Sequence, residues 1–259
     1  MSSEPRGADV PLADAWSAED GLISPRPPRG DGPFPRRAVL CFLPDVVAEL
    51  ERSGRGRPVA TFPSEPGAAS ALAVDTDRGP VAVFHPGVGA PLAVLRLEGA
   101  LAGGVDAVVA CGGAGAVRPG LALGHVVVPT GAVRDEGTSH HYLGPGREVA
   151  TDPDVAAHLV AVLERHRVPH SRGLTWTTDA PYRETPSRIA RRRAEGCLTV
   201  EMETAALAAV CAFRGARFGQ LLYAADDVSG EVWDHRRWTR AQVRTLLLDL
   251  AIEAVATLP

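Results

Sequence analysis

No apolar stretch of this sequence reaches the roughly 18 residues needed to span a bilayer. Its start lacks the basic-then-apolar layout of a signal peptide. Cysteine is scarce and dispersed. Cys41, Cys111, Cys197 and Cys211 lie far apart in apolar contexts, so they read as buried small hydrophobes and not as a disulfide or zinc framework. Neither sign of charge dominates: the formal net charge is −4, and bulk electrostatics point to neither a nucleic-acid nor a membrane partner. There is no internal repeat. These absences predict a cytoplasmic, globular chain. Its 259 residues and 45% apolar content suit one large domain.

Residues 1–36 stand apart. Pro25-Arg26-Pro27-Pro28-Arg29-Gly30-Asp31-Gly32-Pro33 forms neither a helix nor a central strand, so this segment reads as an arm, either disordered or laid on a neighbouring subunit. Residues 37–259 alternate strand and helix. Strands are expected at Ala38–Leu43, Pro58–Phe62, Ala71–Val74, Pro80–Phe84, Asp106–Cys111, Leu123–Val133, Ser171–Trp176, Cys197–Val200 and Arg217–Ala225. Helices are expected at Asp45–Arg52, Gly89–Gly103, Asp154–Arg167, Pro186–Ala194, Thr204–Phe213 and Arg240–Thr257. Strands apolar throughout and interleaved with helices predict an α/β fold, a single domain whose mixed, largely parallel central sheet is flanked by helices.

The most informative string is Val200-Glu201-Met202-Glu203-Thr204-Ala205-Ala206-Leu207. It places two carboxylates at a strand-to-helix junction, where open α/β sheets bind ligands. Glu201 and Glu203 also suit the positive end of a helix. Asp226-Asp227-Val228-Ser229-Gly230 closes an apolar strand and is equally good turn chemistry. His140 and His141 are adjacent, so their side chains diverge and no metal site is expected. Arg191-Arg192-Arg193 reads as a solvated helix face.

Other segments add to the Glu-Met-Glu string. They are Phe84-His85-Pro86-Gly87-Val88-Gly89-Ala90-Pro91, Cys111-Gly112-Gly113-Ala114-Gly115-Ala116-Val117, Gly124 to Thr130, Arg134 to Tyr142, Thr175 to Arg183, and Tyr223-Ala224-Ala225-Asp226-Asp227. Taken in order over about residues 38–257, they resemble the nucleoside phosphorylase and uridine phosphorylase superfamily, which also contains nucleosidases. The resemblance implies a nucleoside phosphorylase-like fold. It further implies a pentosyltransferase that cleaves an N-glycosidic bond with inorganic phosphate as co-substrate and no metal or organic cofactor.

The resemblance also assigns roles. Glu203, with Glu201 and Met202, holds the ribose, and Asp227, or Asp226 in its place, assists the leaving base. Thr177, Asp179, Tyr182 and Arg183 line the base, with Tyr182 stacking. Gly87, Gly89, Gly112, Gly113, Asp45 and His85 are the candidates for holding phosphate or the nucleophile. Members assemble from dimers that share sites, so a homo-oligomer is expected.

The chain also departs from the family pattern. Leu43-Pro44-Asp45-Val46 lacks the Gly and Arg that phosphorolytic members place after the first strand. Ala110 and Gly113 stand where those members have an Arg and a Ser or Thr. Arg55, Arg57 or His85 would have to supply the cation. Alternatively, Asp45 activates water and the enzyme is a hydrolase, or the chain binds nucleosides without turnover. An Asp at 227, and a base segment shorter than uridine enzymes carry, leave the base open, leaning toward a purine or an unusual base.

Overall fold

The computed structural model describes residues 12, 16–19, 21–63, 68–236 and 241–259. Parts of the expected arm, and Arg240 at the expected start of the last helix, lie outside that set.

The chain opens with β1 (Arg37–Cys41), α1 (Pro44–Arg52), β2 (Arg57–Phe62), β3 (Ala69–Thr76), β4 (Gly79–Phe84) and α2 (Ala90–Ala102). There follow β5 (Ala107–Ala116), β6 (Val126–Asp135), β7 (Glu148–Ala150), α3 (Pro153–Arg165), β8 (His170–Thr178) and α4 (Pro186–Ala194). It ends with β9 (Cys197–Glu201), α5 (Thr204–Arg214), β10 (Arg217–Asp227) and α6 (Ala241–Thr257). The predicted α/β class and single mixed sheet are observed.

The sheet runs β10-β6-β8-β9-β5-β1-β4-β3-β2, and β10 also pairs with β5. That extra pairing closes β5, β10, β6, β8 and β9 into a ring, which periodicity alone does not reveal. β1 lies parallel between β4 and β5, while β9 meets β5 antiparallel, only at Gly115 and Ala116. The strands are apolar throughout because both faces are covered. One face packs Val39, Cys41, Val109, Cys111 and Leu221 against α1, α3 and α6, and the other packs Leu40, Phe84 and Val108 against α2 and α5. All four cysteines are buried free thiols, as their contexts predict.

Several boundaries differ from expectation. β5 runs on through the glycines to Ala116, since backbone pairing with β10 holds them extended as far as the register Asp227↔Ala116. For the same reason Asp226 and Asp227 belong to β10 and not to a turn. Arg29 exchanges backbone hydrogen bonds with Thr61 on the sheet edge, so this part of the arm lies along its own domain. Arg191-Arg192-Arg193 is not simply a solvated face. Arg192 is buried, binding Asp135 and Glu195, and Arg193 donates to the carbonyls of Val117 and Ser229.

Candidate active site

β1 pairs with β5 only as far as Cys111, its last contact being the Phe42 N–H on the Cys111 carbonyl at 2.8 Å. β9 joins the same edge at Gly115. Gly112 to Ala114 therefore have no strand partner on that edge. The turn after β1 and the Glu201-Met202-Glu203 turn after β9 both come to this gap. The sequence brings its carboxylates here because β9 is short and antiparallel to β5.

The two glutamates do different work. Glu201 is buried, and its oxygens face the start of α5. Oε2 accepts the N–H groups of Glu203 (2.7 Å) and Thr204 (2.6 Å), and Oε1 accepts the Thr177 hydroxyl at 2.6 Å. Thr177 in turn accepts the Ala205 N–H at 2.9 Å. Together these satisfy three of the N–H groups that a helix start leaves open. Glu201→Ala removes this cap and strands a buried hydroxyl, and is expected to lower the unfolding free energy by about 2–4 kcal/mol in urea titration.

Glu203 reaches the other way. Its Oε1 accepts the Gly89 N–H at 2.6 Å, tying the end of β9 to the start of α2. Gly89 and Gly87 hold φ of 91° and 86°, where a side chain is strained. A Cβ on Gly87 would also sit 2.3 Å from the Leu92 side chain. Burial and the adjacent Glu201 push the Glu203 carboxyl up to about 8. Burial raises Glu201 as well, but its three donors and the helix start oppose this. Both carboxyls of the pair are thus shifted toward the protonated form, Glu201 against its three donors and Glu203 with the Glu201 charge adding to burial.

The base-side candidates divide. Thr177 is fully buried in the helix cap, and Trp176 is core, donating to Asp135 at 2.8 Å. Asp179 is exposed and accepts the Gly137 N–H at 2.9 Å. Tyr182 and Arg183 lie exposed on the 3-10 turn after β8. Asp227 receives the Ser229 N–H at 2.8 Å and Arg236 at 2.6 Å. Although burial opposes it, these contacts hold Asp227 below the ordinary carboxylate range, so it is an ion.

Asp226 accepts the Trp233 indole N–H at 2.7 Å and is shifted up, chiefly by burial. Glu184 was not among the residues singled out from sequence. It is half-buried and pushed up to about 7, first by burial and then by the charge of Asp226. Its position directly after Tyr182-Arg183 was the available signal.

Among the nucleophile-side candidates, Gly112 and Gly113 border the gap. His85 accepts the Gly87 N–H on Nδ1 at 3.1 Å. Burial, then the nearby Arg96 charge, shift His85 down, so it is neutral and not a cation. Arg55 pairs with Asp249 (2.7 Å) and Arg57 with Asp75 (3.9 Å), both on the exposed surface. Asp45 is engaged by Arg244.

Residues 36–256 match the family described as the Phosphorylase superfamily. Among relatives, guanosine phosphorylase of Halorubrum lacusprofundi is 29% identical over 145 residues, covering 56% of this chain and 60% of that protein. Uridine phosphorylase of Thermococcus kodakarensis is 32% identical over 103 residues, 40% of this chain and 37% of that one. The DeoD-type purine nucleoside phosphorylase of Myxococcus xanthus is 30% identical over 176 residues, 66% and 74% respectively. The match thus spans less than two thirds of the first two relatives. A family match running from just before β1 to the end of α6 takes in every element around the gap, and the chain belongs to the phosphorylase superfamily.

Proposed function

We propose that the protein is a nucleoside phosphorylase: a phosphate oxygen attacks the anomeric carbon, the N-glycosidic bond breaks, and free base and ribose 1-phosphate leave. The observation that carries this reading is Glu203, a buried carboxyl at the gap whose protein donors are the backbone N–H groups of Gly89 and Met202, with no cation paired to it among the described residues. Sugar hydroxyls donate to it and favour its ionised form. The anion then stabilises the positive charge that grows on the ribose. The electron pair of the broken bond goes to the base, which needs a proton or a donor.

Asp227 enters as an ion, so the proton comes from the neighbouring Asp226 and Glu184. Burial and the charge of Asp226 push the Glu184 carboxyl up to about 7, so Glu184 keeps a proton near neutrality, and burial shifts Asp226 up beside it. Asp227 then accepts an N–H of the base. A purine, which takes a proton on its five-membered ring, suits this arrangement; the relatives' names include both purine-acting and uridine phosphorylases.

The test is base release with and without inorganic phosphate. Phosphorolysis requires phosphate for turnover. Equal rates without it would indicate hydrolysis, and binding without release a non-catalytic relative. The chain is read as a homo-oligomer built from dimers, as the sequence resemblance implies. Light scattering at micromolar concentration is expected to give a dimer or a multiple of it, and a monomer would contradict this.

A further inference from the structure

The sequence contains no lysine, so any fixed cation for an anionic co-substrate is an arginine or a protonated histidine. Neutral His85 and the surface pairs of Arg55 and Arg57 do not supply one at the gap. Arg244, on the first turns of α6, does. Its Nη1 donates to the Tyr223 hydroxyl at 3.4 Å and its Nη2 to the Asp45 carboxylate. The Tyr223 ring lies against Gly113: a Cβ built on that glycine would be 3.4 Å from the ring and 3.1 Å from the Ala225 methyl. Asp45 sits in the first turn of α1, directly after β1 leaves β5. Arg244 thus links Asp45, at the β1 side of the gap, to Tyr223, which packs against Gly113 from β10.

Three features suit an anion here. Residues on a strand alternate the direction of their backbone groups. Cys111 faces β1 and Gly115 faces β9, so the Gly113 N–H faces the unpaired stretch between them. The nine-residue α1 begins at the same place with no side-chain cap on its N–H groups. Finally, Arg244 Nε is buried with no hydrogen-bond partner, although a guanidinium offers five donors in a fork that matches phosphate.

The Asp45 side chain is 59% exposed, against 17% for Arg244. Asp45 is free to swing into solvent, whereas Arg244 is held. We propose that Arg244 is the residue that binds the phosphate co-substrate, and that the Asp45 carboxylate occupies its place until phosphate displaces it. This rests on the phosphorolytic reading above. It also gives a physical sense to Gly113: a glycine there leaves room for the Tyr223 ring, which brings Arg244 to the gap.

The experiment is steady-state kinetics of the full chain with inorganic phosphate as the varied substrate, alongside calorimetric titration of phosphate alone. Loss of a charge-assisted hydrogen bond predicts that Arg244→Gln raises KM for phosphate about 10- to 100-fold, with KM for the nucleoside within about twofold of wild type. Asp45→Asn removes the competing carboxylate and is expected to lower KM for phosphate. This second variant keeps the proposal testable if Arg244→Gln does not fold. An unchanged phosphate KM in folded Arg244→Gln, or a raised one in Asp45→Asn, overturns the assignment. Phosphate-independent turnover by the wild-type protein would instead overturn the phosphorolytic reading itself, and would show before any variant is made.

Discussion

Glu203→Ala is expected to lower kcat on the best nucleoside about 100- to 1000-fold, the usual loss when one preorganised group facing transition-state charge is removed. Glu203 is a buried carboxyl at the gap held by backbone N–H groups alone, those of Gly89 and Met202, with no cation paired to it among the described residues. Its role is differential, because the positive charge it opposes exists only as the glycosidic bond breaks. KM therefore moves less than kcat. The fold is retained, since Gly89 is held by the start of α2 and Glu201 still caps α5.

Titration gives an independent check on Glu203. Its folded-state pKa lies above the ordinary carboxylate value, so its contribution to stability is complete at acid pH and is lost as pH rises through about 8. Thermal melts of the ligand-free protein should show this decline, and Glu203→Gln should flatten it. A Glu203→Ala protein of near-normal kcat removes the residue from the mechanism.

The second large effect belongs to the leaving base. Asp226→Asn is expected to cost about 100- to 10,000-fold in kcat/KM on purine nucleosides, the range over which positioned acids act. On a riboside whose leaving group departs without a proton, the loss is expected to stay below about tenfold. The Asp226 charge, after burial, pushes the Glu184 carboxyl up to about 7. The protonated fraction of Glu184 therefore falls as pH rises through about 7, and Glu184→Gln removes that dependence. Below that pH, activity rises with pH as Glu203 ionises toward its value of about 8, so kcat/KM is bell-shaped with its maximum between the two. Equal losses on ordinary and activated substrates would end the acid assignment. A larger loss from Asp227→Asn, with its Arg236 partner freed, would move the role to Asp227.

Much of this arrangement was legible in the sequence because it depends on local pattern. Val200 to Leu207 announces a strand end and a helix start, and Pro186–Ala194 is a helix with the limits expected. What periodicity does not carry is pairing between distant strands. The second partner of β10 closes a ring and keeps Gly112-Gly113 extended, and no run of residues encodes it locally. The division of labour between Glu201 and Glu203 was likewise hidden, since it depends on Thr177 and Gly89 arriving from other elements. The same holds for charge. Asp227 and Asp226 are neighbours of one type in sequence, but Ser229 and Arg236 shift one down while burial shifts the other up. Arg244 lies 199 residues from Asp45 and offers no motif.

The central claim is that bond cleavage at the gap between β1 and β9 passes the sugar to phosphate. Phosphorus NMR of a complete turnover mixture, containing a purine nucleoside and inorganic phosphate, tests it most directly. The account predicts a new phosphate-ester resonance from ribose 1-phosphate, appearing in step with free base and absent in the Glu203→Ala protein. Release of base with free ribose and an unchanged inorganic phosphate signal would contradict it.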